Sequence, residues 1–439
     1  MKTQLPDIAW FNDAKFGIFI HWGIYAVGQY PESWAFYNHG APGQDPLDSL
    51  PRADYMTQRH AFLARRYDPA AWAELFVEAG ARYAVLTTKH HDGVALWDTA
   101  EHLSVVRDTP AGRDLVGPFC EAMRARDLNV GLYYSHNDWN HPDYPSLHAL
   151  PGTPPDHPGR IYSYAQGEED PERWANFLRF HRLQLRELCE RYSPDLLWFD
   201  GDWERNWQQW DFEHLNEQLR SWRPGVVINS RIGPFGDYDT PEQAIPTIAP
   251  GKPWELCLTS NRGWSMATDP SYKSTGELIR MLAECAGMGG NLLLNIAPLS
   301  DGTIFYEQAR ILREIGAWLK INGEGIYGTH AGLPASHWSG ASTCSADGCT
   351  VYLILFGRPG DEVPVKGLRN KVLSATVLGG DGTDLARRSS GGAPWMNIPG
   401  ILWLNVPDSA CQTHGTVIKL ELDSPLDLHV SAGEVVTQN

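Results

Sequence analysis

The first three quarters of the chain alternate short, almost wholly apolar runs with stretches of helical periodicity. Near-continuous hydrophobicity is typical of parallel strands that are covered on both faces. Strands that alternate with helices form βα units, and six or more such units in about 300 residues favour a closed (β/α)8-type, TIM-like barrel over an open sheet. The apolar runs are Phe16–Trp22, Tyr83–Thr88, Asn129–Ser135, Leu196–Asp200, Gly225–Asn229 and Asn291–Ile296.

Two helix starts are visible between these runs. Asp68 is a typical N-cap residue, and Pro69 follows it at the first helical position, where proline is favoured. Ser274 and Glu277 have the spacing of a capping box. Helices are therefore predicted to begin at these two points, and a third, longer helix is predicted over Pro171–Tyr192.

The pattern changes after about residue 330. Strand-like runs are there separated by turns rich in Gly, Pro and Asp, without a long helical stretch, which predicts a small antiparallel β-sandwich. We therefore expect a catalytic (β/α)8-like barrel domain in residues 1–330 and a C-terminal β-sandwich domain in residues 331–439. The strand-like runs are Thr350–Phe356, Lys371–Leu378, Gly400–Val406 and Thr416–Leu422.

Charge and composition exclude several classes of partner. The chain has 36 basic and 53 acidic residues, a formal charge of −17, which argues against a nucleic-acid or anionic membrane surface. It has no apolar run of about 18 residues that would predict a membrane span. The N-terminal residues lack a signal-peptide pattern, and the seven cysteines are odd in number and scattered, so we expect a cytoplasmic protein. The oligomeric state is not predicted.

Polar and aromatic side chains follow the predicted strands at the point where each one ends. In a barrel enzyme the reacting groups come from the carboxyl ends of the strands, so these side chains are expected to converge on one rim. They come from at least five segments, with His21, the Lys89-His90-His91-Asp92 block, Tyr134 and His136, Trp198 and Asp200, and Asn229 and Arg231.

Asp200 is the most informative single residue. It ends an apolar strand and precedes Gly201, which lets the chain turn and lets a ligand approach closely. His90 and His91 could be metal ligands, but adjacent residues on a strand point to opposite faces, so the pair does not predict a metal site. No glycine-rich phosphate-binding motif follows an early strand. We expect neither a metal nor a cofactor.

Five segments resemble, in the same order, the signature blocks of glycoside hydrolase family 29, the α-L-fucosidases. The resemblance runs from about residue 10 to about residue 330, and its Lys-His-His-Asp-Gly block is highly specific. It implies a retaining exo-α-L-fucosidase that acts on fucosylated oligosaccharides or glycoconjugates through a covalent fucosyl-enzyme. The segments are FGIFIHWGIYAVG, YAVLTTKHHDGVALWDT, GLYYSHNDW, LLWFDGDW and GGNLLLNIAPLSDGTI.

The resemblance also implies roles for individual residues. Asp200 would be the nucleophile, and two residues compete for the role of acid and base. Glu242 is preferred because it lies on a loop after a strand, whereas Glu255 lies in a more strand-like setting. The residues that would bind the fucose ring are His21, Trp34, His90, His91, Tyr134, Trp198 and Arg231.

Two local differences from the family pattern leave alternatives open. Ser33 stands where many members have Glu, with Glu32 one residue away, and His136 stands where small residues are common. The same scaffold could act on a related sugar, such as an α-L-galactoside or another 6-deoxy sugar, or the chain could be a catalytically silent fucose-binding protein. Both candidate carboxylates argue against the silent alternative.

Overall fold

A curled sheet of seven parallel strands forms the centre of the N-terminal part in the computed structural model, which describes residues 8–37, 50–144, 170–266, 271–360 and 362–430. The strands are β1 (Phe16–Ile20), β2 (Tyr83–Lys89), β3 (Asn129–Ser135), β4 (Leu196–Asp200), β5 (Val227–Ile228), β7 (Glu255–Thr259) and β8 (Asn291–Ile296). Their order across the sheet is β5-β4-β3-β2-β1-β8-β7. A short strand, β6 (Arg231–Pro234), lies outside this ladder.

These strands are apolar along their whole length because both faces are covered. Every residue of β1, β2, β7 and β8 is buried. One face packs into the interior of the curl, around residues such as Phe19, Tyr133 and Trp198, and the other packs against the helices. Parallel register places Tyr133 level with Trp198, so these two side chains share the inner face.

The curl closes irregularly between β5 and β7. Isolated parallel bridges, rather than a strand, connect Asn229 to Tyr238, Asp239 to Trp254, and Glu242 to Cys257. The predicted fold class, a TIM-like barrel followed by antiparallel sheets, is confirmed, and the irregular closure is a local departure from the regular barrel.

Helices surround the sheet, and the predicted helix starts are confirmed. The Asp68 side chain accepts a hydrogen bond from the backbone N–H of Ala71, and Ser274 accepts one from Glu277. No helix of the described residues is both long and apolar enough to cross a membrane. The helices are α1 (Ala9–Ala14), α2 (Trp34–Tyr37), α3 (Arg52–Thr57), α4 (Pro69–Glu78), α5 (Val105–Asp108), α6 (Val116–Arg124), α7 (Pro171–Tyr192), α8 (Phe212–Trp222), α9 (Thr275–Gly287) and α10 (Tyr306–Asn322).

Two antiparallel sheets follow the barrel and enclose a second core. One has the strand order β13-β16-β11-β10-β9 and the other β12-β15-β14. Leu353 and Leu420 from the first sheet and Val365 and Leu404 from the second pack together. The strands are β9 (His330–Ala331), β10 (Ala341–Cys344), β11 (Thr350–Leu355), β12 (Glu362–Val365), β13 (Val372–Val377), β14 (Arg387–Ser390), β15 (Ile401–Asn405) and β16 (Thr416–Leu422).

Candidate active site

A cavity of about 290 Å³ opens at the carboxyl ends of the parallel strands. This is the end of a barrel at which reacting groups are expected. Seven residues predicted from the sequence line it: His21, Trp34, His90, Trp198, Asp200, Arg231 and Glu242. Phe19, Tyr133, Trp203 and Trp264 complete the lining.

Asp200 ends β4 at the floor of the cavity, with a side chain that is 13% exposed. Both of its carboxylate oxygens are held. Arg231 Nη1 donates to Oδ1, and the Tyr133 hydroxyl donates to Oδ2 at 2.9 Å. His91 Nε2 lies 3.6 Å from Oδ2. Gly201, at φ +85°, turns the chain directly after this carboxylate, in a conformation that glycine adopts readily.

Arg231 connects this carboxylate to that of Glu242. Its Nη2 donates to Glu242 Oε2 at 2.8 Å, and the guanidinium lies over the Trp198 ring, 4.8 Å from the ring centroid. Burial alone would lower the pKa of Arg231, but Asp200 and Glu242 raise that pKa above its usual value. The Glu242 side chain is 41% exposed, so the shared cation joins one buried carboxylate to one that solvent can reach.

Glu255 does not line the cavity. It lies in β7 behind Trp198, whose Nε1 donates to Glu255 Oε1 at 2.9 Å, and the Tyr83 hydroxyl donates to Oε2. Burial raises the pKa of Glu255 to about 7. The second candidate for the acid/base role is therefore placed where it supports the Trp198 ring and away from the cavity.

The structure corrects the choice between two adjacent tyrosines. Tyr134, predicted to bind the sugar, points outward, and its hydroxyl donates to Gln184 Oε1 of α7 at 2.9 Å. Consecutive residues of a strand point to opposite faces, so Tyr133, on the inner face beside Trp198, lines the cavity in its place.

Three histidines surround the floor as neutral rings. Burial lowers the pKa of His21 to about 4 and the pKa values of His90 and His91 well below the usual range. Each ring uses Nδ1 to bond one neighbour: Asn295 Oδ1 at 2.7 Å for His21, Ser33 Oγ at 2.7 Å for His90, and Ser135 Oγ for His91. Neutral imidazoles can donate to or accept from the hydroxyls of an uncharged ligand.

Ser33 and Glu32, at which the sequence departs from the family pattern, have separate environments. Ser33 is buried and orients His90 through the bond just described. Glu32 is also buried, and burial raises the pKa of its carboxyl to about 7. The hydroxyl at position 33 thus acts on the cavity through His90.

Within the part of the chain that the structure describes, His90, His91 and Asp200 form a group that could hold a metal. Their ligand atoms lie within 4.8 Å of one another. Each Asp200 oxygen already accepts a hydrogen bond, one from Arg231 and the other from Tyr133, so a metal bound there would share the carboxylate with these two donors.

Two aromatic rings outside the predicted sugar-binding set, those of Trp203 and Trp264, form the walls together with Trp34. Trp203 stacks on Trp34, with ring centroids 6.0 Å apart and an interplanar angle of 18°. Trp264 lies 5.0 Å from the His21 ring. Trp203 belongs to the loop directly after Asp200, a position that could have indicated it, whereas no spacing pointed to Trp264. A polar floor with aromatic walls suits a small ring that has hydroxyls on one side and an apolar group on the other.

Comparisons with known proteins all lead to one family. The profile of the family described as Alpha-L-fucosidase matches residues 2–324. The tissue alpha-L-fucosidase of Homo sapiens is 32% identical over 399 residues, which cover 85% of this chain and 80% of that protein. The solved alpha-L-fucosidase isoenzyme 1 from Paenibacillus thiaminolyticus superposes with a TM-score of 0.81 at 32% identity, over 95% of this chain and 99% of that one.

A solved GH29 alpha-L-fucosidase from Bacteroides thetaiotaomicron is also similar. It superposes with a TM-score of 0.80 at 25% identity, over 96% of this chain and 97% of that one, and its structure is that of a trapped covalent intermediate.

Proposed function

This chain belongs to the alpha-L-fucosidase family, GH29, and is a glycoside hydrolase, and from that premise we propose that it cleaves terminal α-L-fucosides with retention. In this proposal Asp200 is the nucleophile, and Glu242 is the general acid and then the general base. The substrates are fucosylated oligosaccharides or glycoconjugates.

The observation that carries the proposal is the Arg231 bridge between the two carboxylates. Retaining glycosidases hold their carboxyl groups about 5–5.5 Å apart, whereas inverting enzymes separate them by about 6.5–9.5 Å to admit a water. One planar guanidinium that bonds both side chains keeps them near each other, which favours the shorter separation and hence retention.

The reaction has two displacements. In the first, an Asp200 oxygen forms a bond to C1 of fucose while the bond from C1 to the leaving oxygen breaks, and Glu242 gives that oxygen its proton. In the second, Glu242 takes a proton from water, the water oxygen bonds to C1, and the ester to Asp200 breaks. The trapped covalent intermediate of the Bacteroides thetaiotaomicron relative supports such an ester.

The environments of the two carboxylates suit these separate roles. Arg231, Tyr133 and His91 surround Asp200 with groups that favour a negative charge on an attacking oxygen. Glu242 is much more exposed than Asp200, so a leaving group and a water can both reach it.

Azide distinguishes the two roles by the anomer that it yields. In Asp200→Ala, azide would attack C1 directly, and a single displacement would give β-fucosyl azide. In Glu242→Ala, azide would attack the ester on Asp200, and the second displacement would give α-fucosyl azide. Both variants are assayed with an aryl α-L-fucoside of good leaving ability, and the products are assigned by NMR.

Glu255→Ala is the matched control, because it removes a carboxyl of the same kind that lies behind Trp198. Azide should not accelerate this variant. Formation of α-fucosyl azide by Glu255→Ala, or of the same anomer by both other variants, would contradict the assignment. Faster cleavage of aryl α-L-galactoside than of the fucoside by the wild type would favour the related-sugar alternative.

A further inference from the structure

Two buried histidines outside the cavity link helix α7 to the backbone beneath the reacting groups. Arg182 Nη1 lies 2.9 Å from His181 Nδ1, and His181 Nε2 lies 3.0 Å from His136 Nδ1. His136 Nε2 lies 2.9 Å from the carbonyl oxygen of Arg231. Three hydrogen bonds in series therefore end on the backbone of Arg231.

The direction of this series follows from its first member. A guanidinium has donors only, so His181 Nδ1 must accept, which leaves the proton of this neutral ring on Nε2. That proton is donated to His136 Nδ1, and the His136 proton on Nε2 is donated to the Arg231 carbonyl. Burial keeps both rings neutral, as the series requires, because it lowers the pKa of His136 to about 3 and the pKa of His181 well below its usual range.

His136 also holds the backbone of the proposed nucleophile. Its main-chain N–H donates to the carbonyl oxygen of Asp200 at 2.7 Å. Its ring is fixed by stacking on Phe199, with centroids 4.6 Å apart and an interplanar angle of 13°, and by the Phe212 ring at 4.7 Å. The ring and the main chain of His136 thus connect the backbone of Arg231 to that of Asp200.

This connection between Asp200 and Arg231 lies beyond the end of the regular sheet. The ladder between β4 and β5 ends at Leu197 and Ile228, before either Asp200 or Arg231 is reached. Arg231 begins β6, which is outside the seven-stranded sheet, and the barrel closes here through single bridges. Backbone pairing with β5 does not reach Arg231, so side chains constrain this region. Asn229 bonds both backbone groups of Phe199 at 2.9 Å, and the His136 ring bonds the carbonyl of Arg231 itself.

We propose that His136, oriented by His181 and Arg182, is a positioning residue that places Arg231 and thereby sets the separation of the Asp200 and Glu242 carboxylates. The proposal rests on the proposed function, since it gives His136 a part in the reaction of Asp200 and Glu242. His136 itself does not line the cavity.

The test compares two substitutions at position 136. His136→Phe keeps a ring between Phe199 and Phe212 but removes the donor to Arg231, and His136→Gln keeps a donor at similar reach. We expect His136→Phe to lower kcat on an aryl α-L-fucoside by about 10- to 100-fold with little change in KM. The acidic limb of its kcat/KM profile should also move to higher pH, because Arg231 is no longer held against Asp200. The kcat of His136→Gln should be at least about tenfold higher than that of His136→Phe. Its acidic limb should lie at the wild-type pH.

A second variant covers the case in which His136→Phe does not fold. His181→Phe removes the donor to His136 Nδ1. It leaves in place the two groups of His136 that contact the carbonyls of Asp200 and Arg231, its main-chain N–H and its Nε2. It should lower kcat and move the acidic limb to higher pH, in both cases by less than His136→Phe does. If both single variants fold, the loss in the double variant should be smaller than the product of the two single losses, because the two residues act in one series.

A control and two contrary results complete the test. His141 is another buried histidine that stacks on a phenylalanine, Phe180 at 4.4 Å, and His141→Phe should leave the acidic limb in place. Wild-type kinetics in His136→Phe, or in His181→Phe where that variant alone folds, would overturn the proposal. Equal impairment of His136→Phe and His136→Gln with an unmoved limb would also overturn it, since packing alone would then explain the loss. The azide products test Asp200 and Glu242 independently of these variants, so the failure of either hypothesis can be recognised by itself.

Discussion

Tyr133→Phe is expected to move the acidic limb of the kcat/KM profile to higher pH. The wild-type hydroxyl donates to Asp200 Oδ2 at 2.9 Å. It remains a donor because burial, reinforced by the neighbouring carboxylate of Asp200, raises the pKa of Tyr133 well above its usual value. Removal of this donor withdraws more stabilisation from the ionised carboxylate than from its protonated form.

The size of the shift follows from the strength of that hydrogen bond. A hydrogen bond to a charged group contributes about 1.5–3 kcal/mol, and one pH unit corresponds to about 1.36 kcal/mol. The limb should therefore move up by about one to two units. This is an upper range, because Arg231 still donates to the other oxygen and His91 remains 3.6 Å away. On the plateau above the limb the loss in kcat/KM should be smaller than on the limb itself.

The adjacent residue supplies the control. Tyr134→Phe is the same substitution on the same strand, and it also removes a 2.9 Å hydrogen bond, but the acceptor is the neutral amide of Gln184. It should cost about 0.5–1.5 kcal/mol of stability and leave the limb unmoved. Profiles are measured with an aryl α-L-fucoside over the acid range. Equal shifts in the two variants, or no shift in Tyr133→Phe, would refute the reasoning.

Two further predictions concern buried polar groups around the cavity. Glu255 has a pKa raised from 4.5 to about 7 by burial, so the folded state retains its proton longer than the unfolded chain does. The contribution of Glu255 to stability should then decrease as pH rises from about 4.5 to about 7, so over this range the melting temperature of the wild type should fall relative to that of Glu255→Gln. Ser33→Ala removes the 2.7 Å bond to His90 Nδ1, worth about 1 kcal/mol, and should raise KM for the fucoside about fivefold. Ser33→Thr retains a hydroxyl and should show a smaller increase, and an unchanged KM in Ser33→Ala would contradict this account.

Much of the barrel could be predicted because a parallel strand covered on both faces must be apolar throughout. The predicted runs at Asn129–Ser135, Leu196–Asp200 and Asn291–Ile296 coincide with β3, β4 and β8. The closing segment could not be predicted in this way. Its bridges at Tyr238, Asp239 and Glu242 are isolated, so no ladder requires an apolar run there.

The same physics explains the error at Tyr134. When both faces of a strand are buried, the apolar pattern no longer shows which face is the interior. Tyr133 and Tyr134 are both wholly buried, and the inner one is identified only by its register with Trp198. Position relative to the end of a strand was more informative, because Asp200 ends β4 and lies on the floor of the cavity.

The paired histidines show why the ends of strands differ from their interiors. Alternation of side chains predicts that His90 and His91 point to opposite faces, but β2 ends at Lys89, so neither residue is constrained by its ladder. His90 lines the cavity while His91 approaches Asp200. Arg231 and Glu242 likewise lie beyond the regular ladder between β4 and β5. Side chains that lie beyond the regular ladder can converge on one point, but hydrogen bonds from other side chains must then orient them. Here Ser33 orients His90, Ser135 orients His91, and His136 holds the backbone of Arg231.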